Sequence, residues 1–329
     1  MDRNEFVQPS VTTRIFEKSL LTKSDFERLI ETADIEDAIR ALQETTYKEE
    51  ISKLSAAQNY EEALDNMLLD FYKKMYEMTR EDLVVDLLAL KYYYHNLKVV
   101  LKEYILGEDL EYLYYKLENF PRDEIKKSID TGASVEYSDV VREAMEEYEK
   151  GKNPQDIDIF IDKKYFEHLK KIAKESKVEL FDKYVRNLID FTNIATVLRC
   201  KRQDRTIDFL KKVLVEGGSI EVGELENIFG LEVDENSSVF RRTEFYKYLK
   251  KGIEEYKQTG TMSEFERQKD NYFMELVKDV KKVTYGPEVL FAYLYARETE
   301  IKNIRMILIS KLNSTDTNSI RERLRETYV

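Results

Sequence analysis

An all-α protein assembled from three similar helical lobes is what the sequence predicts, and three observations carry that prediction. Glycine and proline supply 10 and 4 of the 329 residues, about 4% of the chain, against a usual level of about 12%. The many turns of a sandwich or barrel have too few turn formers here. The chain is 36% charged yet 42% hydrophobic, with 23 Tyr and 16 Phe, an apolar and aromatic content that disordered chains lack. Finally, apolar residues recur at helical spacing in three copies of one motif, about a hundred residues apart. That period is too long for solenoid repeats of about 34 to 47 residues, so the copies read as lobes. Lobe one spans 1–105, lobe two 106–212, and lobe three 213–329 with a closing C-terminal segment.

In lobe one, Leu83, Leu87, Leu90, Tyr94, Leu97, Leu101 and Tyr104 follow a 4-3-4-3-4-3 spacing, a heptad seam for packing on another helix. The first copy of the motif centres on Asn96 in this helix. In lobe two a helix is predicted over about 156–175, because Tyr165, Phe166, Leu169, Ile172 and Ala173 override the short alternation at Asp156-Ile157-Asp158-Ile159. The second copy centres on Asn193. In lobe three the matching helix starts near Ser263, read as its N-cap, with Glu264 and Glu266 in the first turn. It stops before Gly286-Pro287, and the third copy centres on Asn303. Each lobe is therefore expected to be an antiparallel pair of long helices. The segment 118–155, with Pro121, Gly132, Gly151 and Pro154, reads as small connecting helices.

Each asparagine has apolar residues two before, one after and five after it: Tyr94, Leu97, Leu101; Phe191, Ile194, Leu198; Ile301, Ile304, Leu308. A second mark lies upstream at Asp65, Asp162 and Asp270, at offsets of 31, 31 and 33 from the following asparagine. A third mark comes after each copy, at Ile105-Leu106-Gly107, at Val213-Leu214 before Gly217-Gly218, and at Leu312-Asn313-Ser314. Leu20-Leu21-Thr22-Lys23-Ser24-Asp25-Phe26 near the chain start is an unpaired copy of it. Taken at face value the middle mark comes eleven residues later than the first, so the middle helix is expected to run about three turns longer. Asn96, Asn193 and Asn303 are read as buried amides stitching two helices together, with a repeated contact toward a central axis as the functional alternative. Asp65, Asp162 and Asp270 are read as fixed partners inside their lobes.

Several chemistries lack their residues. The two histidines, His95 and His168, are not spaced as ligands, and the one cysteine, Cys200, leaves a zinc site short of soft ligands. No P-loop or dinucleotide glycine motif occurs. The acidic run Asp156, Asp158, Asp162, Glu167 has Ile161 where a calcium loop needs glycine. No catalytic residue, cofactor site, metal site or small-molecule substrate is therefore assigned. A formal charge of −12 argues against nucleic acid as a partner. Uncharged runs stop at about eight residues, against the ~20 that span a bilayer. The first residues, with Asp2, Arg3 and Glu5, do not read as a signal peptide, and a lone thiol suits a reducing compartment. Against the acidic background, Arg199, Lys201, Arg202, Arg205, Lys211 and Lys212 form a basic run. Its plain reading is a solvated face with Asp204 and Asp208 interspersed; the sharper one is docking of Arg199, Arg202 and Arg205 on an acidic partner. Tyr92-Tyr93-Tyr94 with Tyr112, Tyr114 and Tyr115 suits core packing, with a socket as the alternative.

These stretches together resemble the C subunit of the archaeal and bacterial A/V-type ATPases, the counterpart of the d subunit in the eukaryotic vacuolar enzyme. The resemblance runs through Arg14, Ser19-Leu20-Leu21, Leu42-Gln43-Glu44-Thr45-Thr46-Tyr47, Ile161-Asp162-Lys163-Lys164-Tyr165-Phe166, Ile189-Asp190-Phe191-Thr192-Asn193-Ile194, Leu198-Arg199, Tyr285-Gly286-Pro287 and Tyr293 to Arg305. The chain departs at Phe6-Val7-Gln8-Pro9, where the family more often has a tyrosine and small residues. The resemblance implies a funnel of three lobes around a pseudo-threefold axis. It implies a non-catalytic subunit, peripheral on the cytoplasmic face of the membrane. Its partners would be the central-shaft subunits and the membrane rotor ring of proteolipid subunits, between which it transmits torque. The alternative function is a free cytosolic helical adaptor.

Overall fold

The computed structural model describes residues 1–117 and 120–329; Glu118 and Asn119, which open the expected connecting segment 118–155, lie outside the described residues. Among the described residues every regular element is helical. In order these are α1 (Val7–Glu17), α2 (Lys23–Glu31), α3 (Ile35–Leu42), α4 (Lys48–Ile51), α5 (Tyr60–Met78), α6 (Leu83–Leu106), α7 (Arg122–Thr131), α8 (Ser138–Gly151), α9 (Pro154–Ser176), α10 (Glu179–Arg202), α11 (Ile207–Val213), α12 (Val222–Gly230), α13 (Ser238–Arg241), α14 (Tyr246–Thr259), α15 (Ser263–Lys278), α16 (Pro287–Leu312) and α17 (Thr317–Arg323). Single 3₁₀ turns stand at Arg3–Phe6, Ala57–Asn59, Glu111–Leu113 and Asp279–Lys282.

The chain divides into two compact units, one made of Met1–Val85 and Leu231–Val329, the other of Asp86–Gly230. In the first unit α16 is the centre. It packs against α1, α3, α5, α15 and α17, and from Pro287 through Ile301 all but Glu288 is buried. In the second unit α9 packs on α10 and α8, and α10 on α11 and α12. The helix starts obey local chemistry. Thr22 and Asp25 form a reciprocal capping box, Asn153 caps a helix whose first residue is Pro154, and Thr206 and Asp316 accept the first free amides of α11 and α17.

Three expectations need correction. The pairs α9/α10 and α15/α16 form, but α5 lies along α16, because α5 carries its own apolar stripe to bury, Leu64, Leu68, Phe71 and Met75. Ser263 is the first residue of α15 rather than its cap; Met262 takes the cap position without a side-chain bond. The middle long helix is also no longer than the others. Arg202 and Leu312 each stand nine residues after their asparagine and Leu106 stands ten after its own. The heptad seam of α6 is buried at Leu87, Leu90, Tyr94, Leu97 and Leu101, while Leu83 is half-buried and Tyr104 is exposed.

Candidate partner interface and the repeated asparagine clamp

Each long helix ends in the same way. Gly107, Asp204 and Ser314, all eleven residues after their asparagine, have φ of 67°, 51° and 52°. A left-handed residue just past the last turn lets free helix carbonyls be met. Here the Arg205 amide bonds the Cys200 carbonyl at 3.0 Å and the Thr315 amide bonds the Ser310 carbonyl at 2.9 Å. Glycine marks only the first copy, so a pattern keyed to glycine misaligns the other two.

Beyond these turns the chain re-enters the interior in a non-helical segment, and the asparagine seizes it. Asn96 Nδ2 donates to the Tyr115 carbonyl at 2.8 Å, and the Tyr115 amide donates back to Oδ1 at 3.0 Å. Asn193 makes the same pair with Val215 at 2.7 and 2.9 Å, and Asn303 with Arg325 at 3.1 and 3.0 Å. The amides therefore do not stitch helix to helix. Each side chain offers one donor and one acceptor to both backbone groups of one residue, as a neighbouring strand would.

Carboxylates three residues upstream, which the sequence reading did not use, extend the clamp in two copies. Asp190 accepts from the amides of Ser219 and Ile220 at 2.9 and 3.0 Å. Glu300 accepts from the Leu21 amide at 2.5 Å. Leu21 thus takes the place in the third copy that Ile220 takes in the second, and α2 comes after it as α12 comes after Ile220. The unpaired mark at the chain start is the missing end of the last repeat. A visible signal was the acid at three before the asparagine in both copies; the first has Tyr93 there. Gly218 is obligatory against this carboxylate, since a Cβ would stand 2.1 Å from Asp190 Oδ1. Burial pushes the Asp190 carboxyl up, opposed by its bonds from Ser219 and Ile220.

In the first copy Glu103, nearly wholly buried, does the equivalent work. It accepts from the Leu110 amide at 2.8 Å and from Arg122 and Lys126 at 2.7 Å each, and from the Tyr114 hydroxyl. Burial pushes its pKa up, but Lys126, Tyr114, the Leu110 amide and Arg122 outweigh it and hold it at about 2.

The three aspartates meet cations. Asp65 bonds Arg305 at 2.8 Å and Asp162 bonds Lys98 at 2.6 Å. In both, the partner stands two residues after an asparagine of a different copy, so these acids reach outside their own expected lobe. The corresponding position after Asn193 is Ala195, and Asp270 instead holds Lys302 at 3.1 Å and Arg325 at 2.5 Å. Burial disfavours its charge, yet Lys302, Lys269 and Arg325 hold it well below the usual carboxylate range.

A second buried centre lies on α16. Arg297, 1% exposed, bonds Glu300 at 2.5 Å, the Tyr293 hydroxyl at 2.9 Å and Ser19 Oγ, and stands over the Phe71 ring. The Tyr47 hydroxyl donates to Glu300 at 2.8 Å. The Arg297-to-Lys302 stretch of the resemblance is thus a buried network joining α16 to the chain start.

The basic run lies at the end of α10 and along α11. Arg199, Arg202 and Arg205 are exposed; Arg205 bonds Gln203 at 3.3 Å and stands 4.9 Å over the Phe209 ring. Lys201 donates to the Phe229 carbonyl at 2.6 Å, and Lys212 bonds Asp156 at 2.6 Å. The lysines are thus turned partly to internal work, and the arginines form the outward part. Tyr92 and Tyr94 are buried, and Tyr115 packs edge-on against Tyr92 with centroids 4.6 Å apart. Tyr112 instead projects 80% exposed. Among the described residues no group of three or more His, Cys, Asp or Glu is placed to hold a metal ion, and no helix is long and apolar enough to cross a membrane. Cys200 is buried and free.

The family model described as ATP synthase (C/AC39) subunit matches residues 9–323. The chain is 29% identical over 317 residues to the C subunit of the V-type sodium ATPase of Enterococcus hirae, covering 95% of each. It is 24% identical over 347 residues to the C subunit of the A-type ATP synthase of Methanocaldococcus jannaschii, covering 98% of this chain and 87% of that one. With the corresponding A-type ATP synthase protein of Pyrococcus horikoshii it shares 22% over 320 residues, 91% of this chain and 84% of that one. A match from residue 9 to residue 323 takes in all three clamp asparagines and the carboxylates Asp190 and Glu300 beside two of them, and the chain belongs to the ATP synthase (C/AC39) subunit family.

Proposed function

We propose that this chain is a non-catalytic central-rotor subunit of a V/A-type ion-translocating ATPase, peripheral on the cytoplasmic face of the membrane. It links the central-shaft subunits to the membrane rotor ring of proteolipid subunits and passes torque between them. The observation that carries the reading is the end-to-end match to relatives named as the C subunits of such enzymes. The lobes 1–105, 106–212 and 213–329 are kept as repeats of one unit, supported by the triplicate clamp.

Stiffness is what torque transfer requires, and the clamps favour it. A twist that slides a helix end past its re-entrant segment breaks two bonds at each clamp, and at buried Val215 it leaves both backbone groups unmet, at about 1–3 kcal/mol each. Within this reading Arg199, Arg202 and Arg205 dock on an acidic partner surface. Affinity capture of the tagged full-length chain from gently solubilised host membranes, with mass spectrometry, tests the assignment. Shaft, ring and catalytic subunits should come along. Recovery of soluble partners alone, from membranes that contain an intact ATPase, overturns it. Reversal of Arg199, Arg202 and Arg205 to Glu should weaken partner binding and change its salt dependence; unchanged values remove the arginines from the interface.

A further inference from the structure

The exposed apolar residues of the second unit gather where the first copy departs from the other two. Between the left-handed residue and the clamped residue, the second and third copies have ten residues, 205–214 and 315–324. Each builds a helix there, α11 or α17, whose apolar residue faces in: Leu210 and Ile320 are fully buried. The first copy has seven, 108–114, enough only for the 3₁₀ turn Glu111–Leu113. Leu110 still turns inward, but Leu106, Tyr112 and Leu113 are left 57%, 80% and 42% exposed. The tip is fixed rather than loose. The Leu113 carbonyl lies 2.8 Å from His95 Nε2, the Leu110 amide is held by Glu103, and Tyr115 by Asn96.

Charge selects what covers it. The ten residues Tyr104 to Leu113 carry three acids, Glu108, Asp109 and Glu111, and no base; Arg122, which also bonds Glu103, stands 3.2 Å from Asp109 and 3.8 Å from Glu111, one cation shared among three carboxylates. All three acids are exposed, and Tyr104 adds Asp130 at 2.6 Å. An apolar tip within an acidic rim complements a basic surface with an apolar pocket, and a rigid exposed tyrosine is the kind of side chain that anchors protein interfaces. The same rim is repelled by anionic headgroups at a cytoplasmic membrane surface, so of the two partners in the proposed function it suits the shaft. We propose that Leu106, Tyr112 and Leu113 form an anchor seated in a basic-rimmed apolar pocket of the central shaft. This rests on the rotor reading and adds to it a named contact and its partner.

The test measures binding of the full-length chain to purified shaft subunits of the same source, and to vesicles carrying the rotor ring, at low and high salt. Tyr112→Ser with Leu113→Ser should lower shaft affinity about 30-fold while leaving ring binding alone. Tyr112→Phe should bind like the wild type, because the ring and not the hydroxyl is seated. Glu108→Lys, which leaves the Arg122 contacts of Asp109 and Glu111 in place, should slow shaft association about threefold at low salt. Tyr112→Ser alone touches no buried contact, and an unchanged thermal midpoint certifies its fold. Shaft affinity within twofold of wild type in all variants overturns the anchor while leaving the rotor reading intact, as does a loss seen on ring vesicles instead. A wild-type chain that binds neither shaft nor ring overturns the rotor reading, and the anchor with it.

Discussion

Replacing Asn193 by Ala separates a clamp from mere packing. Asn193 is 1% exposed and both its bonds go to buried Val215. Alanine removes both and leaves the Val215 amide and carbonyl without a partner in a dry site. At about 1–3 kcal/mol per unmet group, less what is regained by no longer burying the side-chain amide, the cost is about 2–5 kcal/mol. That is a large fraction of the ~5–15 kcal/mol that holds a typical domain folded. Urea unfolding should show the midpoint falling in proportion. Hydrogen exchange should show the loss concentrated at Val215, with Ser219 and Ile220 partly protected by Asp190. Asn193→Asp supplies a sharper comparison. Above its own pKa a carboxylate can accept from the Val215 amide but opposes the carbonyl, so the variant should be unstable at pH 7. It should recover as pH falls and the protonated acid regains a donor. A cost below about 0.5 kcal/mol in the alanine variant, or Val215 exchanging as in the wild type, refutes the clamp as the device that holds the segment.

Further outcomes come from the other buried groups. Glu103, held at about 2 against ~4.3 for a free glutamate, contributes stability that is complete above about pH 4.3 and is lost as pH falls through 2. Glu103→Gln should thus cost on the order of 3 kcal/mol at pH 7, and the gap to wild type should close across that window in chemical denaturation. Arg297→Met should cost about 3–5 kcal/mol by leaving Glu300 buried without its cation, while Arg297→Met with Glu300→Gln should recover part of it, as calorimetry can read. Asp204→Gly should stabilise by up to about 1 kcal/mol in urea unfolding, because glycine adopts the left-handed conformation without Cβ strain.

The residues that set the helices were legible in the sequence because helical burial is periodic. Leu87, Tyr94, Leu97 and Leu101 show it for α6, and Phe166, Leu169, Ile172 and Ala173 for α9. The three asparagines were legible for the same reason, standing at a fixed place in a repeated stripe. What each asparagine binds was not, because the partner is a backbone amide and carbonyl whose side chain is Tyr, Val or Arg. No residue type can mark such a partner. The misplaced third mark has a similar origin: one left-handed turn is made by Gly107 but the others by Asp204 and Ser314. Conformation is held constant there while composition changes. Likewise α16 breaks the amphipathic pattern because Arg297, Glu298 and Glu300 satisfy one another and nearby hydroxyls inside the core.

A helical protein with few glycines and prolines meets a problem that sheets do not. Where the chain leaves one helix and must cross the interior to start the next, its backbone groups lose water and have no ladder to join. Asparagine is the smallest side chain that repeats the peptide's own donor and acceptor, and from a helix it can reach the segment beside it. Aspartate lacks the donor, which is why Asp190 meets only donors, the amides of Ser219 and Ile220 and the Ser219 hydroxyl. A serine offers a donor and an acceptor on one atom, and where Ser10 meets both backbone groups of Gly286 its bond to the carbonyl is long, 3.4 Å against 3.1 Å from the amide. The clamp also fixes register, since sliding the segment by one residue would set the amide against groups facing the other way. Copies at Asn96, Asn193 and Asn303 therefore tie each long helix to the re-entrant segment that leads into its successor. In the last copy Asn303 holds Arg325, Asn271 holds the next amide, that of Glu326, and Leu21, held by Glu300, takes the following place from the start of the sequence.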